Sequence, residues 1–200
     1  ELEKLTIEDI KISSRKYPYI NFEFDQDIGK EILNVKDLTK KGYFENLSFT
    51  VSKDDKIVVM ANNSLAPTML YNILTGKEQA DSGSFAWGKT IKVGYLPQDN
   101  REFFDDCHLS IVDWLRQYSK DQTESFIRGW LGRMLFSGEE ALKEVNVLSG
   151  GEKVRCMMAK AMLNGGNFMI LDEPTNHLDL ESITALNKGM INYRGCMLFT

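Results

Sequence analysis

The sequence predicts an α/β fold in which a helical block interrupts a series of strands. Two observations lead to this prediction. Short apolar runs, typical of strands buried in a parallel sheet, occur at Lys56–Met60, Phe168–Leu171 and Cys196–Phe199. Between about Leu109 and Val145 the apolar residues instead follow helical spacing. Strands on both sides of a helical block indicate an α/β core with an inserted helical subdomain.

The first part of the chain predicts strands separated by turns. Apolar and polar residues alternate around Ile32–Val35 and Leu47–Val51, which predicts two half-buried strands. The run Lys56–Met60 is continuous, which predicts a strand buried on both faces. A loop then leads into a short helix. We expect this helix to end near Gly76, because glycine accepts the left-handed backbone found after a helix.

The remaining elements follow in the same way. Ser84–Trp87 and Lys92–Tyr95 predict strands just before the helical block. A helix is expected after Leu148, followed by an apolar strand, another helix and the last strand, Cys196–Phe199. Because Thr200 stands at the end of that strand, we expect the sequence to stop within a domain.

Composition limits the classes of protein to which the chain can belong. Its 200 residues, of which 42% are hydrophobic, suit one sizeable globular domain. The net charge of -5 argues against nucleic-acid binding by the whole domain, although a local basic patch is compatible with it. The three cysteines lie far apart from one another, as do the two histidines, so we expect reduced thiols, no zinc site and a cytoplasmic protein. No apolar run approaches the roughly 18 residues of a membrane span.

The stretch Phe168–Asp179 carries the strongest chemical signal. An apolar strand delivers two carboxylates to its carboxyl end, where open α/β sheets bind ligands. Asp172 is suited to hold Mg²⁺, and Glu173 is suited to polarise or deprotonate a water molecule. A solvated acidic turn is the alternative, and it would be preferred if only an apolar run with Asp-Glu were present.

A second stretch, Leu148–Lys153, predicts the start of a helix. Ser149 and Glu152 have the spacing of a capping box. Gly150 and Gly151 would expose backbone N–H groups at the helix N-terminus and let a phosphate approach closely. An ordinary capped helix is the alternative reading of this stretch taken alone.

Together, the two stretches resemble the signature motif and the Walker B and D-loop region of ABC ATPases. The resemblance implies a P-loop NTPase core with an antiparallel β subdomain and a helical subdomain at about residues 105–147. It implies ATP and Mg²⁺ as ligands and a second cassette as partner. Gln98, in Tyr95–Gln98, resembles the Q-loop glutamine that reaches Mg²⁺ or the attacking water, with an exposed polar loop residue as the alternative. Asp179 would be the D-loop aspartate that faces the other cassette.

The beginning of the chain resembles the linker between the two cassettes of ABC-F proteins. This resemblance rests on Leu5–Lys11 and Ser13–Arg15, and on the sequence of Thr175–Ser182. It implies that residues 1–24 end the linker and that residues 25–200 are the C-terminal cassette, cut at its C-terminus. ABC-F proteins carry no transmembrane domain, and several act on the ribosome, so the resemblance implies the ribosome as a further partner.

The phosphate loop, Ala61–Thr68, departs from the family pattern G-x-x-x-x-G-K-[ST]. Alanines replace both glycines, and Pro67 replaces the lysine, which removes a charge and a backbone donor. The residues at the remaining loop positions that the resemblance assigns to nucleotide binding are Asn63, Ser64, Ala66 and Thr68. It assigns Thr68, Gln98 and Asp172 to the metal. We expect weak or absent ATP binding at this loop, while Ser149, Gly150 and Gly151 serve the ATP of the partner cassette.

Two further family elements lack a clear counterpart. Tyr43 is a weak candidate for the aromatic residue that stacks on adenine, and a packing role is preferred for it. The switch histidine would follow Thr200, and His177 does not correspond to it.

Three readings of the function remain open at this stage. The first is half of a two-cassette ABC-F ATPase with one degenerate site, and its isolated fragment would not hydrolyse ATP appreciably. The second is the ATPase subunit of a membrane transporter. The third is a non-catalytic pseudo-ATPase that serves as an interaction module.

Overall fold

The computed structural model describes residues 16–200 and contains two sheets. The antiparallel sheet has the order β2-β1-β4, and the parallel sheet has the order β3-β7-β6-β5. The strands are β1 (Leu33–Lys40), β2 (Phe44–Val51), β3 (Lys56–Val58), β4 (Ser82–Trp87), β5 (Val93–Leu96), β6 (Phe168–Leu171) and β7 (Cys196–Phe199). The predicted α/β class is therefore confirmed, together with the antiparallel sheet that the family resemblance implied.

Helices lie between these strands and form a block between β5 and β6. They are α1 (Leu65–Leu74), α2 (Arg101–Phe104), α3 (Ile111–Arg116), α4 (Glu124–Arg133), α5 (Gly150–Asn164) and α6 (Leu180–Asn192). Short 3-10 turns at Gly138–Leu142 and Val145–Val147 complete the block. The predicted end of α1 is confirmed, since Gly76 has a φ of +79° directly after its last turn. Within residues 16–200, no helix is both long and apolar enough to cross a bilayer.

β6 is fully buried and separates two parts of the core. Phe168 and Ile170 face the cluster that includes α1 and the antiparallel sheet. Met169 and Leu171 face the cluster built from α5, α6 and the helical block. Successive side chains of a strand point to opposite faces, so a continuous apolar run is what a strand with both faces covered requires.

The prediction that Lys56–Met60 is a strand buried on both faces is wrong. β3 covers only Lys56–Val58, pairs with β7 alone and stands at the edge of the parallel sheet. Val58 is 49% exposed and Met60 is 85% exposed. An apolar run shows that a strand is present, but the order of strands in the sheet decides how many faces are covered, and that order is set by distant parts of the chain.

Residues 16–24 have no regular secondary structure and pack against the domain. The backbone N–H of Tyr19 donates to the carbonyl of Arg133 at the end of α4 (2.7 Å). Ile20 and Phe22 are buried in the cluster of α5 and α6, and Phe22 packs edge-on against Tyr193. The segment thereby connects the helical block to the parallel sheet. The linker-like stretches Leu5–Lys11 and Ser13–Arg15 lie outside the described residues.

Asn167 fixes the start of β6 through its buried side chain. Its Oδ1 accepts from the backbone N–H of Lys92 (2.8 Å). Its Nδ2 donates to the carbonyls of Thr90 (2.9 Å) and Gln26 (3.2 Å). One side chain thus satisfies three backbone groups from two separate segments, which would otherwise be left without partners.

We predict that Asn167→Ala lowers the free energy of unfolding by about 2–3 kcal/mol, because it leaves these backbone groups unpaired. Urea denaturation of the purified chain measures the change. Asn192→Ala, at the exposed end of α6, is the matched control and should stay within about 0.5 kcal/mol of the parent. Equal effects of the two substitutions would contradict the role assigned to Asn167.

Candidate functional site

Asp172 lies at the carboxyl end of β6 and is 1% exposed. Its backbone N–H donates to the carbonyl of Leu96 on β5 (2.9 Å), which fixes the residue to the sheet. Burial raises the pKa of the carboxyl group, and the charge of Glu173 acts in the same direction. The Thr68 hydroxyl, the backbone of Gln98 and the Thr200 hydroxyl lie close enough to oppose the shift, yet within residues 16–200 neither carboxylate oxygen has a hydrogen-bond partner of good geometry.

A buried carboxylate without a partner is costly unless a cation or a donor completes it. Mg²⁺ prefers carboxylate oxygen and usually takes most of its other ligands from water and phosphate. Among residues 16–200, no group of three His, Cys, Asp or Glu residues could hold a metal ion. Asp172 with the nearby Thr68 hydroxyl therefore fits a metal ion that arrives with phosphate, and does not form a complete metal site by itself.

Glu173 and Gln98, which the sequence placed 75 residues apart, lie side by side. The Nε2 of Gln98 donates to Oε2 of Glu173 (2.9 Å), and the Nδ2 of Asn176 donates to the same oxygen. Glu173 has a φ of +44°, which turns the chain sharply after the strand. The two amides hold one carboxylate oxygen and leave the other available to accept a proton from water.

Thr200 is a site residue that the sequence analysis missed. Its Oγ1 accepts the backbone N–H of Glu173 (2.6 Å) and lies close to Asp172. The parallel pairing of β6 with β7 sets Leu171 beside Phe199. The residues that follow, Asp172 and Thr200, therefore lie close together at the carboxyl ends of the two strands. The role of Thr200 could have been predicted only if the pairing of β7 with β6 had been known from the sequence.

The signature segment, Leu148–Lys153, begins α5 as predicted. The Ser149 hydroxyl accepts from the backbone N–H of Glu152 (3.3 Å), and the Glu152 carboxylate accepts from the backbone N–H of Ser149 (2.8 Å). The capping box is therefore confirmed. In the part of the chain that the structure describes, the N–H groups of Gly150 and Gly151 have no hydrogen-bond partner. These two free donors at a helix N-terminus fit an anion.

The phosphate loop differs from the signature segment, because the first two N–H groups of its helix, α1, are already used. The side-chain Oδ1 of Asn63 accepts the N–H of Leu65 (3.0 Å), and the backbone carbonyl of Asn63 accepts the N–H of Ala66 (3.0 Å). Pro67 has no N–H to offer. In this arrangement the N–H groups of Leu65 and Ala66 point to Asn63 and do not face the space in front of the helix. Asparagine often accepts a hydrogen bond from the backbone N–H two residues further on. The presence of Asn63 in the loop was therefore the sequence signal for this turn.

The other predicted residues have local contacts. Ser64 precedes α1 without making a side-chain cap bond. Asp179 is the N-cap of α6, where its Oδ1 accepts the N–H of Ser182 (2.8 Å). Tyr43 lies in the tight turn between β1 and β2, and the Nδ2 of Asn63 donates to the carbonyl of Gly42 in that turn (3.2 Å).

Comparison with known proteins agrees with this geometry. The family model described as "ABC transporter" matches residues 44–176, which include the phosphate loop, Gln98, the signature segment and the acidic end of β6. The chain belongs to the ABC transporter family. It is thus an ATP-binding cassette, and such cassettes bind ATP and pair with a second cassette.

Three known proteins show how the cassette relates to others. An uncharacterized ABC transporter ATP-binding protein of Bacillus subtilis, YkpA, is 58% identical over 204 positions and aligns with the whole chain. The energy-dependent translational throttle protein EttA of Escherichia coli is 33% identical over 182 positions, 86% of the chain. The chain spans 38% of the length of YkpA and 32% of that of EttA.

The dimeric ATP-binding cassette MJ0796, solved in a post-hydrolysis state with ADP and Pi, has the same fold. It superposes with a TM-score of 0.65 at 17% identity and covers 84% of the chain and 88% of its own length.

We predict that Asp172→Asn stabilises the cassette at neutral pH. Because folding raises the pKa of Asp172, ionisation of this group costs folding free energy. The cost is absent below the unfolded pKa of about 3.9 and is complete once the pH exceeds the folded-state pKa. The unfolding free energy at pH 7 should therefore rise by at least about 1 kcal/mol, since a desolvated charge is removed.

Urea denaturation between pH 4 and pH 7.5 measures this effect, and the gain should shrink as the pH falls. Asp106→Asn, at an exposed aspartate, is the control and should show no such gain. If Asp172→Asn destabilises the cassette at pH 7, the carboxylate has a compensating partner after all.

Proposed function

We propose that this cassette is one half of a two-cassette ABC-F type ATPase, and that its main contribution to ATP hydrolysis is made at the ATP bound by the other cassette. The observation that carries the proposal is the difference between its two anion-facing helix ends. The N-terminus of α5 offers the free N–H groups of Gly150 and Gly151. The N-terminus of α1 has its donors occupied by Asn63 and lacks one at Pro67.

The electrostatics of α5 support this role. A helix N-terminus carries a partial positive charge, and backbone N–H groups there stabilise a phosphate without any side-chain reorganisation. The glycines at its first two positions carry no side chain that could cover these N–H groups. ABC cassettes pair, as in the MJ0796 dimer bound to ADP and Pi. In such a pair the signature segment of one cassette would close on the nucleotide held by the other.

Gln98, Glu173 and Asp172 keep an arrangement suited to metal binding and water activation. With the phosphate loop self-bonded, we propose that they turn over nucleotide slowly or not at all at this cassette's own half-site. The two half-sites of the protein would then differ: one binds ATP and is completed by Ser149, Gly150 and Gly151, and the other is degenerate.

The ribosome is the partner that we propose for the whole protein, in the cytoplasm. The support is the 33% identity to a translational throttle protein and the linker-like start of the sequence. Sedimentation of the full-length protein with ribosomes in the presence of ATP tests this. Fractionation with the membrane, together with a membrane-spanning partner, would instead favour the ATPase subunit of a transporter.

A second candidate is a non-catalytic interaction module. It is favoured by one observation, the self-bonded loop at Asn63 with Pro67 in place of the lysine. It is disfavoured by the retained pair of Gln98 and Glu173 and by the free donors of the signature segment. The two candidates differ in whether the signature segment matters for hydrolysis.

We predict that Ser149→Arg in the full-length protein lowers ATP hydrolysis at saturating ATP by at least about a hundredfold, since it blocks the donors that face the partner's phosphate. Pro67→Ala should change hydrolysis by less than about twofold, because that loop lacks its lysine already. Steady-state phosphate release measures both. Near-normal hydrolysis in Ser149→Arg would favour the non-catalytic module.

We also predict that the loop can be repaired. Ala61→Gly, Ala66→Gly and Pro67→Lys together should raise the affinity of this cassette for Mg-ATP by at least about tenfold, since one charge-assisted hydrogen bond is returned. Adding Asn63→Ala should raise it further, because this change frees the N–H of Leu65. Titration calorimetry measures the affinities. If the variant with all four substitutions shows no gain in affinity for Mg-ATP, the missing adenine contact is the main deficit.

A further inference from the structure

The loop that follows β6 turns back sharply and reaches the signature segment of the same cassette. Two of its residues, Glu173 and His177, have left-handed φ values of +44° and +64°. The N–H of Asn176 donates to the carbonyl of Glu173 (3.1 Å), which closes the turn between them. Non-glycine residues adopt this backbone infrequently, although histidine does so more readily than most. The turn directs His177 toward the N-terminus of α5.

His177 lies directly against both signature glycines. A Cβ atom placed on Gly150 would lie 3.1 Å from Cγ, 3.2 Å from Cβ and 3.4 Å from Nδ1 of His177, and these are the three nearest atoms around it. A Cβ atom on Gly151 would lie 2.7 Å from the carbonyl oxygen of His177. The imidazole thus packs against the Cβ side of Gly150, and the carbonyl of His177 lies against the Cβ side of Gly151. An alanine at position 150 therefore requires the His177 side chain to shift, whereas an alanine at position 151 requires the backbone of the loop to move.

The same loop holds the carboxylate that stands at this cassette's own half-site. Asn176, the neighbour of His177, donates to Glu173, and Glu173 also accepts from Gln98. The residues around Glu173, together with His177 and Val154 of α5, line one small cavity. A continuous set of contacts therefore runs from Gln98 to Gly150 within a single cassette.

We infer that His177 is a positioning residue that sets the placement of Gly150 at the partner's nucleotide and couples it to the state of Glu173 and Gln98. The inference rests on the proposed function, because it assumes that the signature segment serves the other cassette. Through His177, a half-site with a poor phosphate loop would still influence hydrolysis at the competent one. A purely structural role for His177 would instead change stability and leave the catalytic step unaffected.

The substitution His177→Asn tests this without disturbing the turn. Asparagine accepts the left-handed backbone, so the loop is kept while the ring against Gly150 is lost. His108→Asn is the matched control, because it makes the same change at the other histidine of the chain, on the surface of the helical block beside Glu144. Both are made in the full-length protein, and thermal unfolding checks that each remains folded.

We expect His177→Asn to lower kcat for ATP by about tenfold while KM stays within about twofold, since ATP is held by the partner's phosphate loop. His108→Asn should leave both values unchanged. A fall in thermal stability with an unchanged kcat would overturn the inference in favour of simple packing.

Two double-mutant cycles separate the ring from the backbone. Gly150→Ala forces the imidazole aside, so combining it with His177→Asn should recover at least about fivefold of the lost kcat. Gly151→Ala meets the backbone carbonyl of residue 177, so His177→Asn should recover none of its loss. Additive losses at Gly150, or equal recovery in both cycles, would overturn the inference.

The proposed function fails separately, if Ser149→Arg leaves hydrolysis intact. In that case the contact between His177 and Gly150 is still tested by measuring the midpoint of thermal unfolding for each variant of the two cycles. Relief of the Gly150→Ala destabilisation by His177→Asn, with no relief for Gly151→Ala, supports it, and the absence of that difference overturns it.

Discussion

β6 holds the Asp172 carboxylate at the carboxyl edge of the parallel sheet, and the rest of the site is arranged around this placement. The strand is buried on both faces and is hydrogen-bonded to β5 on one side and to β7 on the other. The backbone at its end therefore cannot shift without breaking these hydrogen bonds. Water does not reach the carboxylate, and no donor within residues 16–200 makes a hydrogen bond of good geometry to it. The fold therefore bears the cost of a buried charge at one point. Such a cost is common at sites where a cation completes the group.

The N-termini of α1 and α5 differ in which of their backbone N–H groups remain free to bind an anion. Both α1 and α5 begin with N–H groups that have no acceptor within the helix, as every α-helix does. In α5, Ser149 caps the third N–H through its hydroxyl and leaves the first two free. In α1, Asn63 accepts the first two N–H groups, and a proline occupies the third position. A helix start that satisfies itself has little left for a phosphate.

The sequence was sufficient for the parts of the site that depend on local pattern. The apolar run before Asp172, the spacing of Ser149 and Glu152, and the glycine after α1 each follow from a few neighbouring residues. The edge position of β3 and the role of Thr200 did not follow, because both depend on which strands lie side by side. The contact of His177 with Gly150 was missed for the same reason, since it joins two loops that meet only in the folded chain.

The signature segment contains a conflict of charge that its neighbours reduce. Glu152 stands in the first turn of α5, where a carboxylate favours the helix but opposes an incoming phosphate. Burial would raise the pKa of Glu152, but hydrogen bonds from the backbone and side chain of Ser149, together with Lys143, lower it below its usual value. The group therefore stays ionised at neutral pH, and its charge is directed toward Ser149 and Lys143, whose Nζ lies 3.5 Å from Oε1. Within residues 16–200 the N–H groups of Gly150 and Gly151 have no acceptor, so the segment keeps both its helix cap and its free donors.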